Sequence, residues 1–114
     1  MKRGDIVLVE VPFTDLTDVK VRPALIVSSD SINRGDDRIL VPISSNVSNP
    51  SPWDVLADPS DVEFAATGLH RPSAFRCAKV LTLSAALIKR RLGTAGAKYL
   101  SQVSARLRNA LNLR

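Results

Sequence analysis

One cysteine and one histidine stand in 114 residues. The lone thiol, Cys77, excludes an internal disulfide and any cysteine-rich metal site, and with His70 as the single imidazole a structural zinc is excluded too. No apolar run follows Met1-Lys2-Arg3, so the expectation is a chain with neither signal peptide nor membrane span, placed in the cytoplasm. Repeats and interdomain linkers are also missing. A chain of this length falls within the roughly 50–250 residues of one domain, so residues 1–114 read as a single domain with enough apolar sequence for its own core.

The most telling absence is of one charge. All 11 acidic residues lie between Asp5 and Glu63. From Phe64 onward there is no acid and there are ten bases: Arg71, Arg76, Lys79, Lys89, Arg90, Arg91, Lys98, Arg106, Arg108 and Arg114. The first 63 residues hold 6 bases against those 11 acids, so the net charge of +5 hides two segments of opposite sign. Such asymmetry points to a polyanionic partner.

What is present begins with two apolar runs, Gly4-Asp5-Ile6-Val7-Leu8-Val9 and Arg22-Pro23-Ala24-Leu25-Ile26-Val27-Ser28, flanking the polar loop Thr14–Lys20. Asp5–Val11 and Pro23–Ser28 read as paired strands. Proline cannot donate to a ladder, so Pro23 is assigned the first position of its strand, with Arg22 at the base of the loop where a rigid sheet can aim a guanidinium at an anion. Asp30–Gly35 reads as one capped turn, Arg38–Ser44 as a strand, Ser45–Pro52 as a loop, Trp53–Leu56 as a short strand and Ser60–Glu63 as a turn. Ser73–Leu81 follows Pro72 and contains no breaker, so it is read as one strand. In the last segment Thr94 is the expected N-cap, and Leu100, Val103, Leu107, Ala110 and Leu111 recur at helical spacing. Lys98, Arg106 and Arg108 fall off that stripe and add long-range attraction for a polyanion.

The opening hairpin, Asp37-Arg38-Ile39-Leu40-Val41-Pro42-Ile43-Ser44, the Gly68-Leu69-His70-Arg71-Pro72-Ser73-Ala74-Phe75-Arg76-Cys77 segment and Leu92-Gly93 before a helix together resemble the MazF/PemK family of toxin endoribonucleases. The resemblance spans nearly the whole chain. It implies an α+β fold that is mainly β, a small SH3-like barrel of antiparallel strands with short helices and a C-terminal amphipathic helix. It further implies a homodimer, a cognate acidic antitoxin as protein partner, and single-stranded mRNA as substrate. Cleavage would proceed by attack of the ribose 2′-OH, leaving a cyclic phosphate and a 5′-OH, with no metal and no other cofactor.

Such cleavage needs the 2′-OH deprotonated, the charge on the phosphorane stabilised and the 5′-oxygen protonated. With one histidine and no matched pair of carboxylates, the sequence favours an arginine-centred site. Arg22 matches the family's loop-base arginine, and a guanidinium can hold two phosphate oxygens at once; a surface ion pair with Asp15 or Asp18 is the bland alternative. Ser44 matches the Thr or Ser that ends the family's third strand, with Ser45 as a neighbouring substitute. Arg76 falls where the Kid/PemK branch places a second catalytic arginine, but that branch has an Asp at the position of Ala78 and a His in the first loop, absent here. Lys20, Arg71 and Lys79 are candidate phosphate contacts, and Ser45 joins them as an RNA-binding residue. Phe13 and Trp53 could stack a base. His70 reads as an exposed or core-edge residue and Cys77 as a small buried hydrophobe. Two rival readings stay open: a non-catalytic toxin of the same fold that binds a protein target, as a gyrase poison does, and a decayed RNA-binding module.

Overall fold

The computed structural model describes residues 1–12 and 19–114. Phe13, and the possible Arg22 partners Asp15 and Asp18, therefore lie outside the described residues. Seven strands among the described residues join in antiparallel pairs: β1 (Asp5–Pro12), β2 (Val19–Ile26), β3 (Asp37–Ser44), β4 (Asp54–Ala57), β5 (Ser73–Arg76), β6 (Leu81–Ser84) and β7 (Ile88–Thr94). Two α-helices accompany them, the single turn α1 (Asp30–Asn33) and the C-terminal α2 (Ala97–Leu111). The main path runs β4-β5-β3-β2-β1-β7, with β6 pairing β3 off that path. The fold is α+β and mainly antiparallel as expected, but no pairing among the described residues joins β4 to β7, so the sheet does not close into a barrel.

The central strands explain the apolar runs. Along β1, Ile6 enters one cluster and Val7 and Val9 another; along β2, Leu25 goes one way while Ala24 and Ile26 go the other; β3 divides Val41 and Ile43 from Leu40 in the same manner. Successive strand side chains point to opposite faces. A strand covered on both faces must be apolar at nearly every position, which is why these segments lack polar alternation. The larger cluster gathers Phe64, Phe75 and Val55 under Tyr99 and Val103 of α2, and the smaller lies beneath Leu81, Leu83 and Ile88 of β6 and β7.

Three expectations are corrected. Pro23 is not the first residue of its strand: β2 begins at Val19, and Pro23 stands mid-strand opposite Leu8. It is tolerated because β2 pairs β3 only at Ala24, Leu25 and Ile26, so Pro23 lies just past the end of that second ladder. Second, Ser73–Leu81 is not one strand. β5 pairs Ile43 and Ser44 at the end of β3, β6 pairs Asp37–Leu40 along the same edge, and a 3-10 turn at Cys77–Lys79 bridges the two. A local step of this kind leaves no breaker residue in the sequence. Third, the N-cap of α2 is Gly96, while Thr94 ends β7.

The Gly96 N-cap has no side chain to offer, and Glu63 takes over its task. Its carboxylate accepts hydrogen bonds from the amides of Lys98 (3.1 Å) and Tyr99 (3.0 Å), satisfying two donors that a helix start leaves open. The buried face of α2 centres on Tyr99 and Val103, with Leu100 and Leu107 partly covered; Tyr99 was not in the predicted stripe, and Leu111, which was, is exposed. Tyr99 meets Phe75 ring to ring at 5.6 Å and donates from its hydroxyl to Asp61 at 2.7 Å. Asn112, in the left-handed conformation, ends the helix.

The two glycine motifs prove to be one contact. Gly68 has φ +76°, and a Cβ there would stand 2.2 Å from the carbonyl oxygen of Leu92; at Gly93 a Cβ would meet the Ala66 carbonyl oxygen at 2.3 Å. The turn at 65–68 thus lies directly against β7, an approach that only residues without side chains permit.

Candidate functional site

The charge asymmetry of the chain is folded together rather than kept apart. Each of the three ion pairs recorded among the described residues joins an acid of the first segment to a base of the second: Asp54 to Arg76, Glu10 to Lys89 and Asp5 to Arg91. Arg22, Arg71, Lys79 and Arg90 are exposed and have no carboxylate partner among the described residues.

These four line one large concavity of about 1120 Å³. Its floor is apolar, built from Val9, Ala24, Leu40 and Pro42, and the loop after β3 supplies part of its wall. Arg22 lies opposite Val9 across the β1–β2 pair and two residues from Ala24, so the strand alternation puts it on the same face as that floor. Of the seven residues expected at a site, the fold brings six to this concavity: Arg22, Ser44, Ser45, Arg71, Arg76 and Lys79. Lys20, opposite Val11 on β2, is not among its lining residues. His70 and Trp53 also line it, and both are exposed.

Ser44 performs the turn-capping role available to a serine at a strand end, its Oγ accepting from the Asn46 amide at 3.1 Å. That bond uses a lone pair and leaves the hydroxyl proton as a donor. Ser45 is exposed beside it. Arg76 is placed differently. Its side chain is 17 % exposed, and it donates to the Asp54 carboxylate at 2.5 Å and to the carbonyl oxygen of Asn46. Sequence reasoning looked for a carboxylate at position 78, found Ala78, and missed Asp54. No local spacing could have found it, because Asp54 reaches Arg76 only through the β4–β5 register, in which the two residues are direct partners. Arg90 was likewise missed as a lining residue, since its place depends on β7 pairing with β1.

Cys77 is fully buried, as expected of a small hydrophobe. Burial, reinforced by the Asp54 charge, pushes its thiol from 9.0 up to about 11. Its native pKa exceeds the unfolded one, so the stability linked to it is complete below about pH 9 and is lost as pH rises through about 11. The loss amounts to roughly 2–3 kcal/mol. Unfolding free energies measured from pH 8 to 11 are expected to fall more steeply for the native protein than for Cys77→Ala; equal slopes would disprove this assignment.

Among the described residues no three His, Cys, Asp or Glu side chains are grouped to hold a metal ion, and no helix is long and apolar enough to cross a membrane. Residues 2–111 match the PemK-like, MazF-like toxin of type II toxin-antitoxin systems, and the chain belongs to that family. No curated protein matches it. Its fold is similar to that of an endoribonuclease from a mycobacterial species, solved in complex with its cognate antitoxin, at TM-score 0.78 and 22% identity, over 100% of this chain and 97% of that one. It is also similar to the Mycobacterium tuberculosis toxin MazF-mt6, at TM-score 0.77 and 22% identity over 96% and 98% of the two chains. A chain in the structure of MazE-MazF from Deinococcus radiodurans resembles it at TM-score 0.77 and 20% identity, over 100% of this chain and 98% of that one.

Proposed function

We propose that this single-domain protein is a sequence-specific endoribonuclease that cuts single-stranded mRNA in the cytoplasm, acting as a homodimer and restrained by an acidic antitoxin. The observation that carries the reading is the concavity in which Arg22 and Ser44 share a lining with Arg71, Lys79 and Arg90. Among the described residues the one carboxylate that lines it, Asp54, is already paired with Arg76. Phosphodiesters are drawn to such a surface, and its volume exceeds the roughly 300–1,000 Å³ typical of small-molecule pockets.

In this reading the ribose 2′-OH gives its proton to a solvent water as its oxygen attacks phosphorus, while the Arg22 guanidinium holds the scissile phosphate and stabilises the charge of the phosphorane. The bond from phosphorus to the 5′-oxygen breaks, giving a cyclic phosphate and a 5′-OH. Ser44, its proton free to donate, binds a non-bridging oxygen or passes a proton to the leaving oxygen. Lys20, Ser45, Arg71 and Lys79 hold the flanking chain. The antitoxin, rich in carboxylates, competes for the same cations. Membership of the toxin family favours this over a gyrase-poison-like binder or a decayed RNA-binding module.

Incubating the purified protein with a long single-stranded RNA in the presence of EDTA, then mapping the product ends, tests the reading. Fragments ending in a cyclic phosphate and a 5′-OH are expected, and cleavage that EDTA abolishes would exclude a metal-free reaction. Ser44→Ala is expected to slow cleavage about 10-fold, less than loss of a guanidinium, because Ser45 or a water partly replaces the hydroxyl. A larger defect in Ser45→Ala would reassign the role to that neighbour.

A further inference from the structure

Arg76 and Asp54 stand directly opposite each other on β5 and β4, and their side chains are 17 % and 3 % exposed. What they hold is the loop between β3 and β4. At its start, Arg76 donates to the carbonyl oxygen of Asn46, whose amide in turn donates to Ser44 Oγ at 3.1 Å. At its end, the Asp54 carboxylate oxygen that takes the Arg76 bond also accepts from the Ser51 amide at 2.8 Å, while the Asp54 amide donates to the Ser51 carbonyl at 3.1 Å. From the other side, Arg106 of α2 reaches the Asp54 carbonyl at 3.4 Å. One ion pair therefore ties both ends of a loop that supplies Asn46, Asn49 and Ser51 to the wall of the concavity.

From this arrangement we infer that Arg76 and Asp54 are positioning residues, a clamp that sets the shape of the 45–53 loop and with it which RNA sequences the enzyme accepts. The inference rests on the endoribonuclease reading and changes the role of Arg76 within it. Two of the five N–H donors of the Arg76 guanidinium, one on each terminal nitrogen, go to Asp54 and Asn46, and the charge is already paired with a carboxylate, so the group is committed to the loop before any phosphate arrives. Its effect on cleavage passes through Ser44 and the loop. Lysine keeps the charge but is a point donor without the planar fork, so it can satisfy the carboxylate but not both partners in the arginine geometry.

The test compares Asp54→Asn, Arg76→Lys and the double variant, with cleavage sites mapped on a long RNA, KM and kcat measured at the preferred site, and amide exchange followed over residues 45–53. Both single variants are expected to lose roughly 10- to 100-fold in kcat/KM at the preferred site, the order of cost that misplacement of a site by about 1 Å incurs. KM should rise more than kcat falls, cuts should appear at sequences that the native protein spares, and the Asn46 and Ser51 amides should exchange faster. The double variant should be no worse than either single one, because all three break one clamp. Arg76→Lys with native KM and site choice would overturn the inference, and so would additive losses in the double variant. If Arg76→Lys lowers kcat equally at every site while Asp54→Asn is native-like, Arg76 contacts the phosphate and the clamp role is wrong. A native protein that cuts no RNA would overturn the endoribonuclease reading and the selectivity role with it, while the exchange pattern would still decide whether the clamp holds the loop.

Discussion

Arg22→Ala is expected to cut RNA about 100- to 1000-fold more slowly than the native protein, the usual cost of removing one donor aimed at transition-state charge. It should fold normally. Arg22 is exposed, has no hydrogen-bond or ion-pair partner among the described residues, and contributes to neither core cluster. Its backbone, by contrast, is fixed by the β1–β2 ladder opposite Val9, so the guanidinium is carried on a rigid strand rather than on a loop tip. Rates measured on a defined RNA, with thermal melting as the control for folding, check this. Near-native cleavage by Arg22→Ala would mean that the chemistry lies elsewhere. Arg22→Lys should recover only part of the loss, because an ammonium restores the charge but not the two-point grip on phosphate.

RNA affinity is expected to fall steeply with salt. Arg22, Arg71, Lys79 and Arg90 are the exposed cations of the concavity, and each phosphate they neutralise releases condensed counterions. For single strands the slope of log K against log salt is about −0.7 per contact, so four contacts give about −2.8, or about 50-fold between 50 and 200 mM. A catalytically silent variant and a fluorescent oligonucleotide suffice for the measurement. Removing Arg71 or Lys79 should flatten the slope by about 0.7 without shifting the cleavage pattern. A slope near zero would show that the concavity does not bind a phosphate backbone. A second copy of the chain contributing its own cations would make the slope steeper, so the value also reports how many subunits grip one strand.

The two segments of opposite charge illustrate how far a sequence can be read. Counting acids and bases pointed to a polyanionic partner, but it could not show that Asp5, Glu10 and Asp54 fold back onto Arg91, Lys89 and Arg76. Those three bases are partly neutralised, and the field that remains is narrower than the tally of ten suggests. Three of the bases left in the basic segment, Arg71, Lys79 and Arg90, meet at the concavity, where Arg22 joins them from the acidic segment of the chain.

Local chemistry determined much of the rest. Apolar runs rich in Val and Ile specified β1, β2 and β3, since a strand buried on both faces has no alternative composition. Ser45–Pro52 is a loop because its serines, asparagines and prolines support no ladder. The spacing of Leu100, Val103 and Leu107 made a helix of the last segment. The resemblance to the toxin family, carried by short motifs, led to Arg22, Ser44 and Arg76, and the fold gathers all three at one concavity.

Only tertiary structure decided what depends on register. Pro23 lies mid-strand because the β2–β3 ladder stops at Ala24, a fact about a second strand that no property of Pro23 encodes. The segment from Ser73 to Leu81 breaks into strand, turn and strand because β3 offers it two separate stretches of edge. Tyr99 rather than Leu111 faces the core because Phe75 and Asp61 are there to meet it. Asp54, 22 residues before Arg76 in the chain, becomes its partner through a cross-strand pairing and through nothing nearer. Secondary structure follows from interactions between neighbours in sequence, which composition and spacing record. The ion pair that holds the loop beside Ser44 depends on contacts between distant segments, and these come into being only when the strands are laid side by side.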